Sequence, residues 1–289
     1  MDRLLNAGNN KFLLNRGRFK MCYEPLKRYK VQKKDRVSLE ECGRVIPDKA
    51  PTAQFNMALA RYEFAKLYAK DKVVLDLGCG DGYGTSYLSS VAKRVIGIDI
   101  SRDAIQEARE KYRRHNLAYE VMDCYSLTFP DEHFDLVCSF EVIEHVDSCD
   151  RYLSEIRRVL KRNAVVVIST PNRNASAYSY SEHHLQHFNN IELQRLLDQY
   201  FKTITLFKQQ YDSRAVKLEM SLINRLFVRL KRKLGIRRYL IPYRYRGILE
   251  KMLTGSSSDS TRVEDFPIRE AGDDFKDAYG LIGVCKKTL

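Results

Sequence analysis

From about residue 52 to residue 209 the chain alternates short apolar runs with segments whose apolar residues recur every three or four positions. That alternation predicts βα units around a parallel sheet. Val73–Leu77 is a five-residue run bounded by Asp71-Lys72 and a glycine cluster, and predicts a buried strand. Further strands are expected at Arg94–Ile100, Ala118–Met122, Phe134–Phe140 and Ala164–Thr170. All are rich in Val or Ile and none alternates cleanly with polar residues, as expected where helices cover both faces of a sheet. Ser101 is placed to cap a helix running to about Arg114. Asn189 caps another, whose buried face is Ile191, Leu193, Leu196 and Leu197. A sixth strand is expected at Lys202–Lys208 and a seventh at Ala278–Cys285.

The stretch from about 210 to 277 interrupts the last two strands. Leu218, Leu222, Phe227, Leu230 and Leu234, with Arg225, Arg229, Lys231, Arg232 and Lys233, predict a basic amphipathic helix, and Gly255–Ser260 a flexible loop. The organisation expected is an N-terminal basic extension over 1–50, a core over 51–209, a basic insertion over 210–277 and a final core strand over 278–289.

Charge sharpens this division. The net charge is +13 over 289 residues. Residues 1–36 carry 11 basic and 3 acidic side chains, and residues 214–251 carry 12 and 2, so everything else carries −5. A mildly acidic core flanked by two basic segments predicts an anionic partner: phosphate, nucleic acid or a membrane surface. No run of about 18 apolar residues occurs, so no membrane-spanning helix is expected. Met1–Asn6 reaches no continuous apolar core, which predicts no secretory signal. The seven cysteines include no C-x-x-C pair; they read as reduced residues of a cytoplasmic protein, with the basic segments allowing peripheral contact at the inner membrane surface.

The strongest local chemistry is VVLDLGCGDGYG, residues 73–84. A strand ends at Asp76-Leu77, and Gly78, Gly80 and Gly82 turn the chain before a helix. Without a Cβ, such glycines permit a sharp turn and a close ligand approach. The dinucleotide pattern G-x-G-x-x-G fails, because its sixth position is Tyr83 or Thr85 in the two registers. The D-x-G-x-G-x-G pattern present instead resembles the first motif of class I S-adenosylmethionine-dependent methyltransferases. The resemblance implies an α/β Rossmann-like fold: a seven-stranded, mostly parallel sheet with an antiparallel last strand slotted between the fifth and sixth. It implies S-adenosylmethionine as cofactor, packed on Gly78 and Gly80 with Asp76 on its amino group. Asp99 would take both ribose hydroxyls and Ile100 would cover the adenine. Asp123 and Cys124 would meet the adenine amino group. Phe140 joins this set, and Arg61 resembles an arginine that pairs with the cofactor carboxylate in some relatives.

The segment EVIEH (141–145), with Thr170-Pro171-Asn172 and HHLQHFNNIEL (183–193), narrows the likeness. It resembles a subgroup of quinone-biosynthesis O-methyltransferases, sugar and polysaccharide methyltransferases and small-RNA end 2′-O-methyltransferases. By that resemblance Glu141, Glu144, His145 and His184 (or His187) would hold a divalent metal such as Mg²⁺. Without metal, His184 or His145 would be the general base, since imidazole accepts a proton near neutral pH. The insertion, with Tyr239, Tyr243 and Tyr245 among Arg237, Arg238, Arg244 and Arg246, would suit a sugar or a base. The activity expected is O-methylation of a sugar hydroxyl in a glycan or lipid-linked precursor. The alternatives are a quinone or phenolic acceptor, RNA ribose, which lacks a recognisable RNA-binding module here, or a non-catalytic cofactor-binding scaffold.

Overall fold

The computed structural model describes residues 5–7, 10–12, 45–47, 50, 52–175, 184–210, 262–272, 274–275 and 278–288. His183, most of the N-terminal extension, the basic amphipathic helix, its tyrosines and the Gly255–Ser260 loop lie outside them. The chain divides into two compact units, Met1–Cys42 and Gly43–Leu289. The first contains an antiparallel pair, β1 (Leu5–Ala7) and β2 (Asn10–Phe12).

The second unit starts with α1 (Thr52–Ala69) and continues through β3 (Val73–Leu77), α2 (Tyr83–Leu88), β4 (Arg94–Asp99), α3 (Arg102–Lys111) and β5 (Leu117–Val121). Then come β6 (Phe134–Phe140), a 3₁₀ turn at Ile143–His145, α4 (Cys149–Val159), β7 (Leu160–Pro171), α5 (Asn190–Leu197) and β8 (Thr203–Gln209). A 3₁₀ turn at Val263–Asp265, β9 (Ile268–Glu270) and β10 (Gly280–Lys286) complete it. The sheet order is β5-β4-β3-β6-β7-β10-β8-β9. From β5 to β7 all pairs are parallel, whereas β10 lies antiparallel between β7 and β8. The expected slotting of the last strand is therefore present, and β9 adds an eighth strand antiparallel to β8. β9 escaped the sequence pattern because three residues, Ile268-Arg269-Glu270, are too few to show a period.

Apolar residues fill both faces. One core joins Tyr152, Leu153, Ile156 and Val159 of α4 to Leu193 and Leu197 of α5 under β6 and β7. The other joins Leu59, Tyr62 and Ala65 of α1 to Val74, Leu136 and Val167. Local chemistry sets the helix starts. Ser101 Oγ accepts from Ala104 N, and Asn189 with Glu192 forms a reciprocal capping box. The helix after Ser101 stops at Lys111, short of Arg114, because Tyr112 turns extended (φ −123°, ψ 106°). Among the described residues no helix is long and apolar enough to cross a membrane, and five free cysteines are buried or half-buried.

Candidate active site

Strand order reverses at β3, with β4 on one side and β6 on the other. The carboxyl ends of strands at such a switch point form the crevice in which open α/β sheets bind ligands. The glycine loop opens there. Gly78, Gly80 and Gly82 have φ of 77°, 52° and 79°, a region side chains rarely adopt. A Cβ on Gly78 would lie 2.4 Å from Val142 Cγ2, so the loop packs directly on the segment that leaves β6.

Four acidic residues stand within two residues of strand ends at this edge, and they differ in exposure. Asp76 has no exposed surface; its Oδ1 accepts from Tyr62 Oη (3.3 Å) and its Oδ2 from Thr85 Oγ1 (2.6 Å). Burial pushes its carboxyl up to about 7 despite those two bonds. Asp99 is half-buried and accepts from Gly80 N and Ser101 N, both at 2.9 Å, which ties the glycine loop to β4 and leaves a lone pair on each oxygen for a ligand. Ile100 beside it is 73% exposed, the most exposed large apolar side chain described. Asp123 is exposed and accepts from Tyr125 N, while half-buried Cys124 has its thiol pushed up to about 12, chiefly by burial.

Glu141 is the fourth. It has φ of 57°, a strained backbone for a residue with a side chain, and its Oε1 accepts from Ser169 Oγ (2.9 Å). Arg61 reaches it from α1, with Nη2 3.5 Å from that oxygen. Arg61 is 4% exposed; its Nε donates to Gln209 Oε1 (3.0 Å), and Gln209 Nε2 donates to Met57 O (2.8 Å). Arg61 Nη2 is buried and makes no hydrogen bond among the described residues. Phe140, the last residue of β6, is 9% exposed and meets Tyr62 edge-on with ring centroids 4.9 Å apart.

A second group lies beyond β6. Glu144, His145 and His184 each offer a ligand atom within 4.8 Å of the others. Glu144 is 1% exposed, accepts from Thr170 Oγ1 (3.1 Å) through Oε2, and keeps Oε1 buried without a hydrogen bond among the described residues. Burial, and then the charge of Glu141, hold its carboxyl well above the usual range. The two halves of this corner are joined by backbone: Leu185 N and Gln186 N both donate to Glu144 O, at 2.7 and 3.0 Å. The rings of His145 and His184 stand edge-on at 4.9 Å, and His187 lies 6.0 Å from His184. Of the four residues expected to share a metal, three therefore come together. Glu141 is absent from the group and faces Arg61 and Ser169.

The residues present fit the expected cofactor. A buried arginine nitrogen with an unused donor suits a carboxylate, and half-buried or exposed acids stand at the ends of β4 and β5. Two imidazoles with one carboxylate oxygen also suit a first-row divalent ion. The supporting partners Tyr62, Thr85, Ser169 and Gln209 escaped the sequence reading, because a single hydroxyl or amide in a strand or helix carries no pattern. Thr170 alone had a signal, as part of Thr170-Pro171-Asn172.

A family model described as a methyltransferase domain matches residues 75–168. A Mycolicibacterium smegmatis protein named as a probable S-adenosylmethionine-dependent methyltransferase is 39% identical over 100 residues, 35% of this chain and 38% of that protein. A Coxiella burnetii ubiquinone biosynthesis O-methyltransferase is 30% identical over 133 residues, 45% of this chain and 57% of that protein. The matches thus span 38% and 57% of those relatives' own lengths. In fold, the chain is similar to an S-adenosylmethionine-dependent methyltransferase from Thermotoga maritima, with a TM-score of 0.55 at 16% identity, covering 82% of this chain and 91% of that one. The glycine loop at the switch point and the antiparallel strand between β7 and β8 accompany these similarities: residues 75–168 match a methyltransferase domain, and the chain has the fold of S-adenosylmethionine-dependent methyltransferases.

Proposed function

We propose that this chain transfers the methyl group of S-adenosylmethionine to a hydroxyl oxygen of an acceptor bound at the His145–His184 corner. The observation that carries the reading is the Glu144–His145–His184 cluster beside the carboxyl edge of the sheet, where a hydroxyl proton can be received. The cofactor's sulfonium makes its methyl electrophilic, so the residues must hold the acceptor oxygen in line with the methyl–sulfur bond and remove its proton. Asp99 and Arg61 orient the cofactor; His184 or His145 takes the proton. Glu144, His145 and His184 are also the residues that would hold a divalent ion such as Mg²⁺, which when bound would acidify the acceptor hydroxyl.

For the acceptor, a sugar hydroxyl in a glycan or lipid-linked precursor is the first reading, supported by the basic insertion at 214–251. The likeness to a ubiquinone biosynthesis O-methyltransferase favours a phenolic acceptor as the second. The same insertion is proposed to contact an anionic membrane surface peripherally.

The test uses turnover and S-adenosylhomocysteine binding together. His184→Ala should lower turnover roughly 10²–10⁴-fold with cofactor affinity unchanged. Full activity in both His184→Ala and His145→Ala would overturn the assignment. A chelator that abolishes turnover, restored by Mg²⁺ or Mn²⁺, would select the metal-assisted version. Changing Arg232, Lys233, Arg237 and Arg238 to Gln should leave cofactor affinity alone while lowering turnover or sedimentation with anionic vesicles, as added salt should.

A further inference from the structure

Asn172 closes the Thr170-Pro171-Asn172 run, one residue past the end of β7, and it is buried. Its two side-chain atoms serve different segments. Oδ1 accepts from Asn174 N (3.1 Å), which turns the chain as it leaves the strand, and Nδ2 donates to Ala278 O (3.0 Å). A short side chain with a donor and an acceptor on separate atoms meets both demands. The backbone reinforces the second contact: Asn172 N donates to Tyr279 O (2.9 Å), and Tyr279 N donates to Gln209 O (2.9 Å). Gln209 and Ala278-Tyr279 flank the insertion, so Asn172 is bolted to the stem at which that insertion leaves and rejoins the sheet.

The same residue meets the histidine segment. Asn172 forms a parallel bridge with Phe188, and Arg173 N donates to Phe188 O (2.8 Å). Arg173 Nη2 reaches Glu192 Oε1 (2.7 Å), on the carboxylate that completes the capping box of α5. Phe188 belongs to the core that also holds Ile143, Phe275 and Ala278. Closer to His184, Leu185 N and Gln186 N donate to Glu144 O. The segment 184–188 is thus fastened twice, to the 3₁₀ turn at Glu144 and to the insertion's stem at Asn172. Two fastenings within four residues leave the histidine at their head little backbone freedom, and its ring stands edge-on to His145 at 4.9 Å.

We propose that Asn172 is a positioning residue for His184, and that through it the insertion's stem and the histidine corner form one cooperative unit. The importance of His184 rests on the methyl-transfer reading above. Its placement is measured without a methyl acceptor, so the two can fail separately.

The experiment is proton NMR of the full chain, following the Cε1 protons of the histidine rings, with that of His184 identified by its loss in His184→Gln. Asn172→Asp keeps the acceptor for Asn174 N and removes the donor to Ala278 O. It should move the His184 resonance toward that of a solvated imidazole. His133, stacked on Phe129 at the opposite end of β6, should keep its position. S-Adenosylhomocysteine affinity, read by calorimetry, should change less than about twofold. Amide exchange supplies a second measure. In the wild type, Asn172, Arg173, Leu185, Gln186 and Tyr279 should exchange through one shared opening. In Asn172→Asp all five should exchange faster by roughly tenfold, as expected for the loss of one buried bond. Should that variant fail to fold, the wild-type exchange decides: opening of Asn172 and Tyr279 separate from that of Leu185 and Gln186 overturns the proposal. An unmoved His184 resonance in folded Asn172→Asp overturns it too, as does an equal shift of His133, which would mark general loosening. Full turnover in His184→Ala would remove the proton-accepting role and leave the placement standing.

Discussion

The carboxyl edge of the sheet has two corners built on different terms. At the glycine loop, Asp76 and Asp99 have their oxygens engaged by the chain's own donors: Tyr62 and Thr85 for one, Gly80 N and Ser101 N for the other. That corner is preorganised, and a ligand would add bonds to groups already held in place. Beyond β6 the reverse holds. Glu144 keeps a buried oxygen without a hydrogen bond among the described residues. Leaving such an atom unsatisfied costs about 1–3 kcal/mol or more, a cost a fold carries where something else is to be met. One corner is satisfied from within the chain; the other keeps an acceptor open.

The sharpest way to break this contrast is pH. Asp76 is raised from 3.8 to about 7 in the folded chain, so between those values the native state keeps a proton that the unfolded chain has released. Stability should therefore be greatest at low pH as far as this group is concerned, fall as pH rises from about 4 to about 7, and level off above. At about 1.4 kcal/mol per unit, the full difference is on the order of 4 kcal/mol. Asp76→Asn should flatten the slope in denaturant melts recorded across that range. A slope that Asp76→Asn leaves unchanged would mean that Asp76 is ionised in the fold.

Next in size is Asp99→Ala. Losing bonds to two ribose hydroxyls should weaken S-adenosylhomocysteine by roughly 2–4 kcal/mol, read by calorimetry, and unchanged affinity would remove Asp99 from the ribose site. The smallest effect concerns the other corner. Asn189→Ala deletes the α5 cap, worth about 1 kcal/mol of stability. The segment 184–188 runs directly into that cap, so turnover should fall with cofactor affinity unaltered. An equal fall in both would show that the two corners are not separable.

How far each corner could be read in advance follows the same division. Val73–Leu77 and Phe134–Phe140 were bounded to the residue, because an apolar run stopped by glycines or acids ends where the strand does. Asp99 was placed at its strand end for that reason, whereas β5 stops at Val121, two residues short of Asp123. The pairing of Glu141 with Arg61 was not legible. It joins α1 to the end of β6 across 80 residues of chain, and it depends on a positive φ that no sequence pattern marks on a glutamate. E-x-x-E-H looked like one ligand set; the 3₁₀ turn at Ile143–His145 instead carries Glu144 and His145 toward His184 and leaves Glu141 behind. Likewise Arg61 on the helix ahead of Val73–Leu77 looked no different from a solvated arginine, yet it is buried and bonded to Gln209, which Met57 O holds in turn.

The position of β10 has a consequence for the order of assembly. β8 and β9 bond to each other, and the hydrogen bonds that attach them to the sheet run through β10, which separates them from β7 at every register from Gly280 to Lys286. A ribosome makes β8 some seventy residues before β10. During that interval β7 exposes an unsatisfied edge, and β8 has no seat. Translation would thus yield a five-stranded parallel sheet first, with the glycine loop and both histidine-bearing segments already synthesised. The outer strands close only when residues 280–286 slide in between, a late non-local step of the kind that slows folding and leaves a pairing edge open to other chains.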